Sequence, residues 1–577
     1  MNKQEKFISL ILATLLIGWF VWSYKKAVDA PKEIPTAPIA QEAVEAKTPE
    51  ASKPQVAESK VEVKKVVPNK PEKTVVLKND NVIVEFSTWG AVAKSATMLK
   101  YATNPGEISE KNPAVKFDFS TSPAFRLEGV KDLAPDADYQ IVAQTSNSVT
   151  FSNEILTRTF TLCDDYVITL NEKFSALTTA EVANKISLGA LKMGSSKNDI
   201  LSIDSWKASI EGGAVEHHGE TDPLKSYLVS GAGGCSGTPD ATGFPKSTSM
   251  DIPGARKWVA VKSRFFTTAL AESSQANSGF TATISRDASK SAYALESIEA
   301  SVSFPSVEKE RNFKFFVGPK KQSILWDLGM KDVMEFGMWR WVCYPTVWLL
   351  NTFNNFIPNF GIAILILTIF VRILFWPLTH KSTISMRRMQ EIQPKMKEIR
   401  EKFKDNPQRM QQETFQLYRE HNVNPMSSCL PMLIQIPVFI ALFTVLRSAV
   451  ELRYAPFLWI VDLSEPENLF PTIFPFGGLN ILPILMAVTM GLQSALTPST
   501  GDKNQQRMMT VMMPVMMLFM FYSFPSALSL YWTVSQILSI AQMWWIRKKY
   551  NPQASNVIEP DAVEMPQTRQ MRRHPSA

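Results

Sequence analysis

A chain of 577 residues, with 61 Lys and Arg against 54 Asp and Glu for a formal net charge of +7, is too long for one domain. Its hydrophobic share of 45% is not extreme, yet the apolar residues are concentrated at the start and after residue 340. That distribution excludes a single soluble globule and requires a membrane part beside a soluble part.

The first apolar run, Phe7 to Trp22 (FISLILATLLIGWFVW), is followed by Tyr24, Lys25 and Lys26. Val28-Asp29-Ala30 loosely resembles a cleavage site, but the run is slightly long for a signal and Pro31 would follow the cut. Residues 1–26 therefore read as an uncleaved transmembrane anchor. Residues 27–73 are rich in Ala, Pro, Lys, Glu and Val with few aromatics, a composition that cannot bury a core and predicts a flexible linker.

From residue 74 to 320 the texture changes to short alternating runs such as NVIVEFSTWGAV, SVTFSN, TRTFTL, YVITLNEKF and RNFKFFVGP. Their β-branched and aromatic enrichment, bounded by Asn, Asp, Gly, Ser and Pro, predicts one large antiparallel β-sandwich. Cys163 and Cys235 both fall here, and their pairing is left open. Glu216-His217-His218-Gly219-Glu220 invites a metal or acid–base reading, but adjacent His residues point apart on a strand, so a solvated loop is the expectation. No nucleophile elbow, phosphate loop or zinc-ligand spacing occurs, and nothing asks for an enzyme. Residues 321–345 mix Trp326, Trp339 and Trp341 with Ile324, Leu328 and Met334 at helical spacing, which predicts an interfacial amphipathic helix.

Gly361 to Leu378 (GIAILILTIFVRILFWPL) reads as a span with one charge, Arg372. At 1.5 Å per residue Arg372 lies roughly 16 Å from one end and about 9 Å from the other. An arginine in mid-membrane costs on the order of 3 kcal/mol on insertion scales, so an intramembrane charge marks a functional site by default. Further spans are expected at 430–447, 480–496, 508–524 and 527–546. Together they make a five-helix core, residues 346–546, beside the anchor. No acidic residue lies deep in any of them, so Arg372 has no buried counter-ion in sequence and calls for a wet cavity. Thr368 lies one turn before it, and Gln435, Thr489, Gln493, Ser529, Tyr531, Thr533, Ser535 and Gln536 add polar groups on other spans. The fifth span carries Met508, Met509, Met512, Met513, Met516, Met517 and Met520, an adaptable surface for varied apolar partners.

Segment 380–425 carries Lys381, Arg387, Arg388, Lys395, Lys397, Arg400, Lys402, Lys404, Arg409 and Arg419, and the tail 547–577 opens with Arg547-Lys548-Lys549. The positive-inside rule places both in the cytoplasm and residues 23–358 outside, with both termini inside. Met389, Ile392, Met396, Ile399 and Phe403 step at coiled-coil spacing. After Lys404-Asp405-Asn406-Pro407 the face Met410, Thr414, Leu417 and His421 follows, so a helical hairpin is expected, kinked at Pro394. Its basic faces suit lipid head groups or ribosomal RNA.

TIFVRILFWPLT, the basic hairpin closing in Asn424-Pro425, CLPMLIQIPVF, VELRYAPFLWIVDLS, LPILMAVTM and FPSALSLYWTVSQ together resemble the YidC membrane-protein insertase family, in its Gram-negative form with a large periplasmic domain. The resemblance implies a five-helix core enclosing a hydrophilic groove open to the cytoplasm and closed outside, beneath a supersandwich-like periplasmic domain related to sugar-binding folds. It implies that Arg372 and Thr368 line the groove opposite Gln435 and Tyr531-Trp532, with Ser535 nearby and Met512 and Met516 on a slide for the substrate helix. Related proteins often carry Tyr where this chain has Trp532, so a role for that phenolic hydroxyl does not transfer. The partners implied are nascent inner-membrane proteins, Sec translocon components, the ribosome through hairpin and basic tail, and membrane lipids, but no DNA. No cofactor and no enzymatic step are implied. Two other readings, a channel or transporter and a tethered carbohydrate-binding protein, lack inverted repeats and coupling-ion ligands in the one case and leave the helical half unexplained in the other.

Overall fold

The computed structural model describes residues 71–549 apart from 176–182, 193–198, 200, 209–214, 220–246, 287–294, 422, 424–429, 472–477 and 497–506. The anchor, most of the linker, Cys235, Glu220, Asn424-Pro425 and the tail beyond 549 lie outside the described residues.

Residues 74–319 form three antiparallel sheets. Nine strands run in the order Val215–Gly219, Ser202–Ala208, Arg256–Lys262, Phe266–Ser273, Glu310–Pro319, Val167–Phe174, Leu156–Leu162, Ser148–Ser152 and Gln140–Gln144. A second sheet orders Ser247–Pro253, Gly279–Arg286, Leu295–Phe304, Asn184–Ser187 and Leu127–Glu128, with Leu191–Lys192 also paired to Leu295–Phe304. The third is a meander of Thr74–Lys78, Val82–Ser87, Val92–Ala102 and Ala114–Asp118. Alternation drives the packing: in Leu156–Leu162 every second residue is buried, and in Leu295–Phe304 Ile298, Ala300, Val302 and Phe304 face inward. Phe86, Phe125, Phe151, Phe160 and Phe315 meet in the core, with ring centroids 4.7 Å apart for Phe86–Phe160 and 4.6 Å for Phe125–Phe315.

That core also encloses an ion triad. The Glu172 carboxylate pairs with Arg158 Nε at 2.9 Å and Arg311 Nε at 2.6 Å, all three side chains fully buried. Arg158 donates further to the carbonyls of Gly90, Ala91 and Phe125, and Arg311 to Asn184 Oδ1. Burial pushes the Glu172 carboxyl up, but Arg311 and Arg158 outweigh it and hold it below the usual carboxylate range.

The segment around His217 and His218 is no loop: Val215–Gly219 is the edge strand of the nine-stranded sheet, with His218 opposite Ser205, because backbone pairing to Ser202–Ala208 outcompetes solvation. In place of a single amphipathic helix over 321–345 there are a helix α1 (Gln322–Asp327), two short 3-10 turns (Lys331–Met334 and Gly337–Trp339) and the start of α2 (Arg340–Phe356). Gly329 and Gly337, both at positive φ, break the run, and Leu325, Met330, Val333, Met334 and Phe336 turn into the β-domain core. Trp326, Trp341 and Trp348 stay exposed. Among the described residues Cys163 has no disulfide partner.

The helices continue as α3 (Phe360–Leu374), α4 (Trp376–Glu391), α5 (Gln393–Lys402), α6 (Pro407–Glu420), α7 (Leu430–Ser448), α8 (Ile481–Leu496), a π turn Met508–Met512 leading into α9 (Met513–Phe521), and α10 (Ser526–Lys549). Asn359 caps α3 by accepting from the Ile362 amide. The uninterrupted span expected over 361–378 is broken: α3 ends at Leu374 and turns by 62° into α4. Pro377 is the physical cause, since it brings no N–H and its ring crowds the carbonyl four residues earlier. Pro514 likewise cannot bond back to Thr510, and the π turn sits just before it. The hairpin breaks at Ile392, where Pro394 opens α5. Met389, Ile392, Met396, Leu417 and Val423 form its small core, with Ile399 and Tyr418 at the edge.

Among the described residues no single helix is long and apolar enough to cross a membrane, whereas α3 and α4 pass that test as a bent pair. A second core joins α2, α3, α7, α8, α9 and α10 through Leu350, Ile364, Leu367, Leu442, Leu446, Met486, Phe521, Leu528 and Tyr531. The first turns of α2 and part of the C-terminal half of α7 also join the β-domain core, through Cys343, Val347, Ala441 and Val445.

Candidate functional site

The break at Phe375 changes what Arg372 is. It stands in the last turn of α3, where the carbonyl ends of the helix carry partial negative charge and favour a cation. Its guanidinium reaches α10: Nε donates to Ser535 Oγ at 3.0 Å, and Nη2 donates to Ser535 Oγ at 2.7 Å and to the Ser535 carbonyl at 2.6 Å. These partners are neutral, and among the described residues no ion pair is formed by Arg372. Beside it lies a crevice of about 370 Å³ between α3 and α10, where Ile369, Ile373, Trp376, Leu538, Gln542 and Trp545 are among the walls.

Ser535 belongs to a polar seam on α10 that ties four other helices. Tyr531 is buried, and its hydroxyl accepts from Gln435 Nε2 of α7 at 2.8 Å. Gln536 Oε1 accepts from Thr489 Oγ1 of α8 at 2.9 Å. Gln542 Nε2 donates to Thr379 Oγ1 of α4 at 3.0 Å. With Arg372 of α3, the seam therefore ties α3, α4, α7 and α8 to one helix. In a low-dielectric interior such bonds hold because the alternative is an unsatisfied polar group.

The other residues singled out in the sequence occupy different places. Thr368 is fully buried, and its hydroxyl donates to the Ile364 carbonyl of its own helix. Trp532 packs edge-on against Phe439, centroids 5.0 Å apart, and lies 5.6 Å from Phe521. Met512 and Met516 are exposed on one side of the π turn and α9 with Met508, Val511, Val515 and Phe519. Gly491 faces this element from α8, where a Cβ would make an ordinary 3.4 Å contact with the Thr510 carbonyl oxygen.

Residues 352–554 match the family described as 60Kd inner membrane protein, and residues 74–349 match the YidC periplasmic domain. The chain is 35% identical over 447 residues to the membrane protein insertase YidC of Syntrophobacter fumaroxidans, with 75% of each chain covered. It belongs to the YidC membrane protein insertase family. The YidC insertase of Chlorobaculum parvum is 28% identical over 577 residues, covering 95% of this chain and 94% of that one. A crystal structure of an active YidC insertase with its first transmembrane domain resolved covers 82% of this chain and 93% of its own, at 18% identity and a TM-score of 0.34.

Within this YidC-family chain, sequence reading missed Thr379, Gln542, Trp376 and Trp545. The two indoles meet edge-on at 5.8 Å, and Gln542, a wall of the crevice, is held by its bond to Thr379. Spacing carried a signal: Leu538, Ala541, Gln542 and Trp545 fall on one face of α10, as Ile369, Arg372 and Ile373 do at the end of α3.

Proposed function

We infer that this chain is a membrane protein insertase of the inner membrane that works through the Arg372 site. The observation that supports the reading most is a guanidinium that, among the described residues, bonds only the neutral oxygens of Ser535, at a break in an apolar helix, in a chain of the insertase family. A cation without a fixed carboxylate can exchange its partners for an incoming anion. Arg372 and surrounding water would admit a short polar or acidic tail of the substrate partway, shortening the apolar barrier left to cross. The substrate's apolar helix would then slide along α7 and the exposed methionine face of α9 and partition into lipid by the hydrophobic effect. No nucleotide is required.

The same reading places the β domain in the periplasm, both termini and the hairpin α4–α6 in the cytoplasm, and α3, α7, α8, α9 and α10 across the inner membrane. The hairpin and the basic tail would meet the ribosome or nascent chain, and the Sec translocon would be a partner for some substrates.

The test uses purified full chain in liposomes with a ribosome-synthesised single-span substrate, scoring protease protection of its translocated tail. Protection well above empty liposomes, lost in Arg372→Glu, is the expected result. Unchanged insertion of every acidic-tailed substrate by Arg372→Ala and Arg372→Glu would end the electrostatic reading.

A further inference from the structure

The turn Ser263–Phe265, between strands Arg256–Lys262 and Phe266–Ser273 of the β domain, projects Arg264 into the helical part, where its side chain is 3% exposed. Its three donor groups reach three different acceptors. Nε donates to the Arg447 carbonyl at the end of α7 at 2.8 Å, Nη2 to the Ser464 carbonyl at 2.6 Å, and Nη1 to Glu465 Oε1 at 2.5 Å. Its backbone amide donates to Asp199 Oδ1, which fixes the turn itself.

The segment Arg264 grips is the hub of the helix ends. The Glu465 carbonyl accepts from both the amide and the hydroxyl of Ser526, at 2.9 and 2.7 Å, and the Leu463 carbonyl accepts from the Ala527 amide. These are the first residues of α10, so its unpaired N-terminal donors are satisfied by this loop. Two residues on, the Glu467 carboxylate accepts from the Ile481 and Leu482 amides at 2.6 and 2.8 Å and so caps α8. Asp462 stiffens the loop by accepting from the Tyr454 and Ser464 amides and the Ser464 hydroxyl. One guanidinium therefore ties the β domain to the end of α7 and, through a buried loop, to the starts of α8 and α10.

We propose that Arg264 is a positioning residue for the insertion site: by fixing the start of α10 it holds Ser535 where it grips Arg372. This rests on the reading of Arg372 as the working residue. Ser535 lies nine residues into α10 from Ser526, about 13 Å along a continuous helix, so a tilt or slide at the start arrives at the Ser535–Arg372 contact. Arginine suits the task because its planar fork serves three acceptors in different directions, which an ammonium on a flexible stem does not.

The experiment compares full-length wild type, Arg264→Ala, Arg372→Ala, the double variant of these two, Arg264→Lys, Arg264→Glu alone, and the charge exchange Arg264→Glu with Glu465→Arg. Each is reconstituted in liposomes, with an acidic-tailed and a tail-less single-span substrate. Arg264→Ala is expected to lower insertion of the acidic-tailed substrate by about tenfold and to add nothing in the Arg372→Ala background, as coupled residues do. The tail-less substrate should change little, Arg264→Lys should fall between, and the charge exchange should recover part of the loss that Arg264→Glu alone causes. Equal loss for both substrates, or a loss that adds fully to that of Arg372→Ala, would overturn the proposal and leave the Arg372 reading standing. An Arg372→Ala chain that inserts everything normally would remove that reading, and the proposal with it.

Discussion

Arg372 and Ser535 form a contact whose two sides can be tested separately. Arg372→Lys keeps the charge but not the fork, so it should retain more insertion of acidic-tailed substrates than Arg372→Ala in the liposome assay. Ser535→Ala removes the hydroxyl but leaves the carbonyl that accepts from Nη2, and should weaken insertion less than Arg372→Ala. Gly361 is a steric case: a Cβ there would run into the Phe457 ring, so Gly361→Ala must push the Phe457 segment off the start of α3. Its cost, about 1–3 kcal/mol for overpacking, is read as a drop in thermal midpoint in detergent. Lys320 is fully buried at the edge of the β domain, and burial pushes its ammonium from 10.5 down to about 7. Its proton is bound more tightly in the unfolded chain, so this group makes stability rise with pH between about 7 and 10.5; below that window the cost is fully present. Lys320→Met should flatten that slope in melts taken across the window.

At the level of elements, prolines decide where the apolar helices bend. Pro377→Ala restores the missing donor and should allow α3 and α4 to merge, moving Arg372 from a helix end into a helix interior. The expected readout is a loss of acidic-tail insertion with little change in helix content by circular dichroism. Sequence reading found the elements themselves with fair success. Val167–Phe174 and Leu156–Leu162 announced themselves by alternation, and the hairpin seam Met389–Ile392–Met396 by its spacing. It missed the break at Phe375, because an apolar run read for hydropathy alone hides a proline that ends a helix inside it. It also drew one amphipathic helix through Gly329 and Gly337, where left-handed backbone was needed to bring Val333 and Phe336 down onto the β domain.

For the whole molecule, the β domain and the helices do not divide into independent parts. Ala441, Val445 and Val450 are buried in the β-domain core, and Arg453 and Tyr454 bond to the carbonyls of Ala102 and Thr103. Deleting residues 74–319 should therefore lower the thermal midpoint of the helical part by more than Arg264→Ala does, because it exposes apolar surface as well as breaking the guanidinium contacts. The buried triad is the β domain's other point of dependence. Glu172→Gln leaves Arg158 and Arg311 without a counter-charge and should cost about 3–5 kcal/mol in denaturant titration. Because the Glu172 carboxyl is held below its unfolded value, its contribution is complete above the unfolded pKa of 4.5 and is lost as pH falls through the depressed folded value.

Local facts that depend on nearest neighbours are written in the order of residues: which runs are strands, which are apolar helices, and that Arg372 is a charge out of place. Periodicity and desolvation act over a few residues, so they are legible in one dimension. Partner choice was decided only by the tertiary structure. Ser535 lies 163 positions from Arg372, Arg264 lies 201 from Glu465, and Phe266–Ser273 pairs with Glu310–Pro319 rather than with another alternating run of equal merit. Many residues could satisfy a guanidinium or a strand edge, and no local rule ranks them. The choice falls to whichever arrangement buries the apolar faces together and leaves the fewest polar groups without a partner.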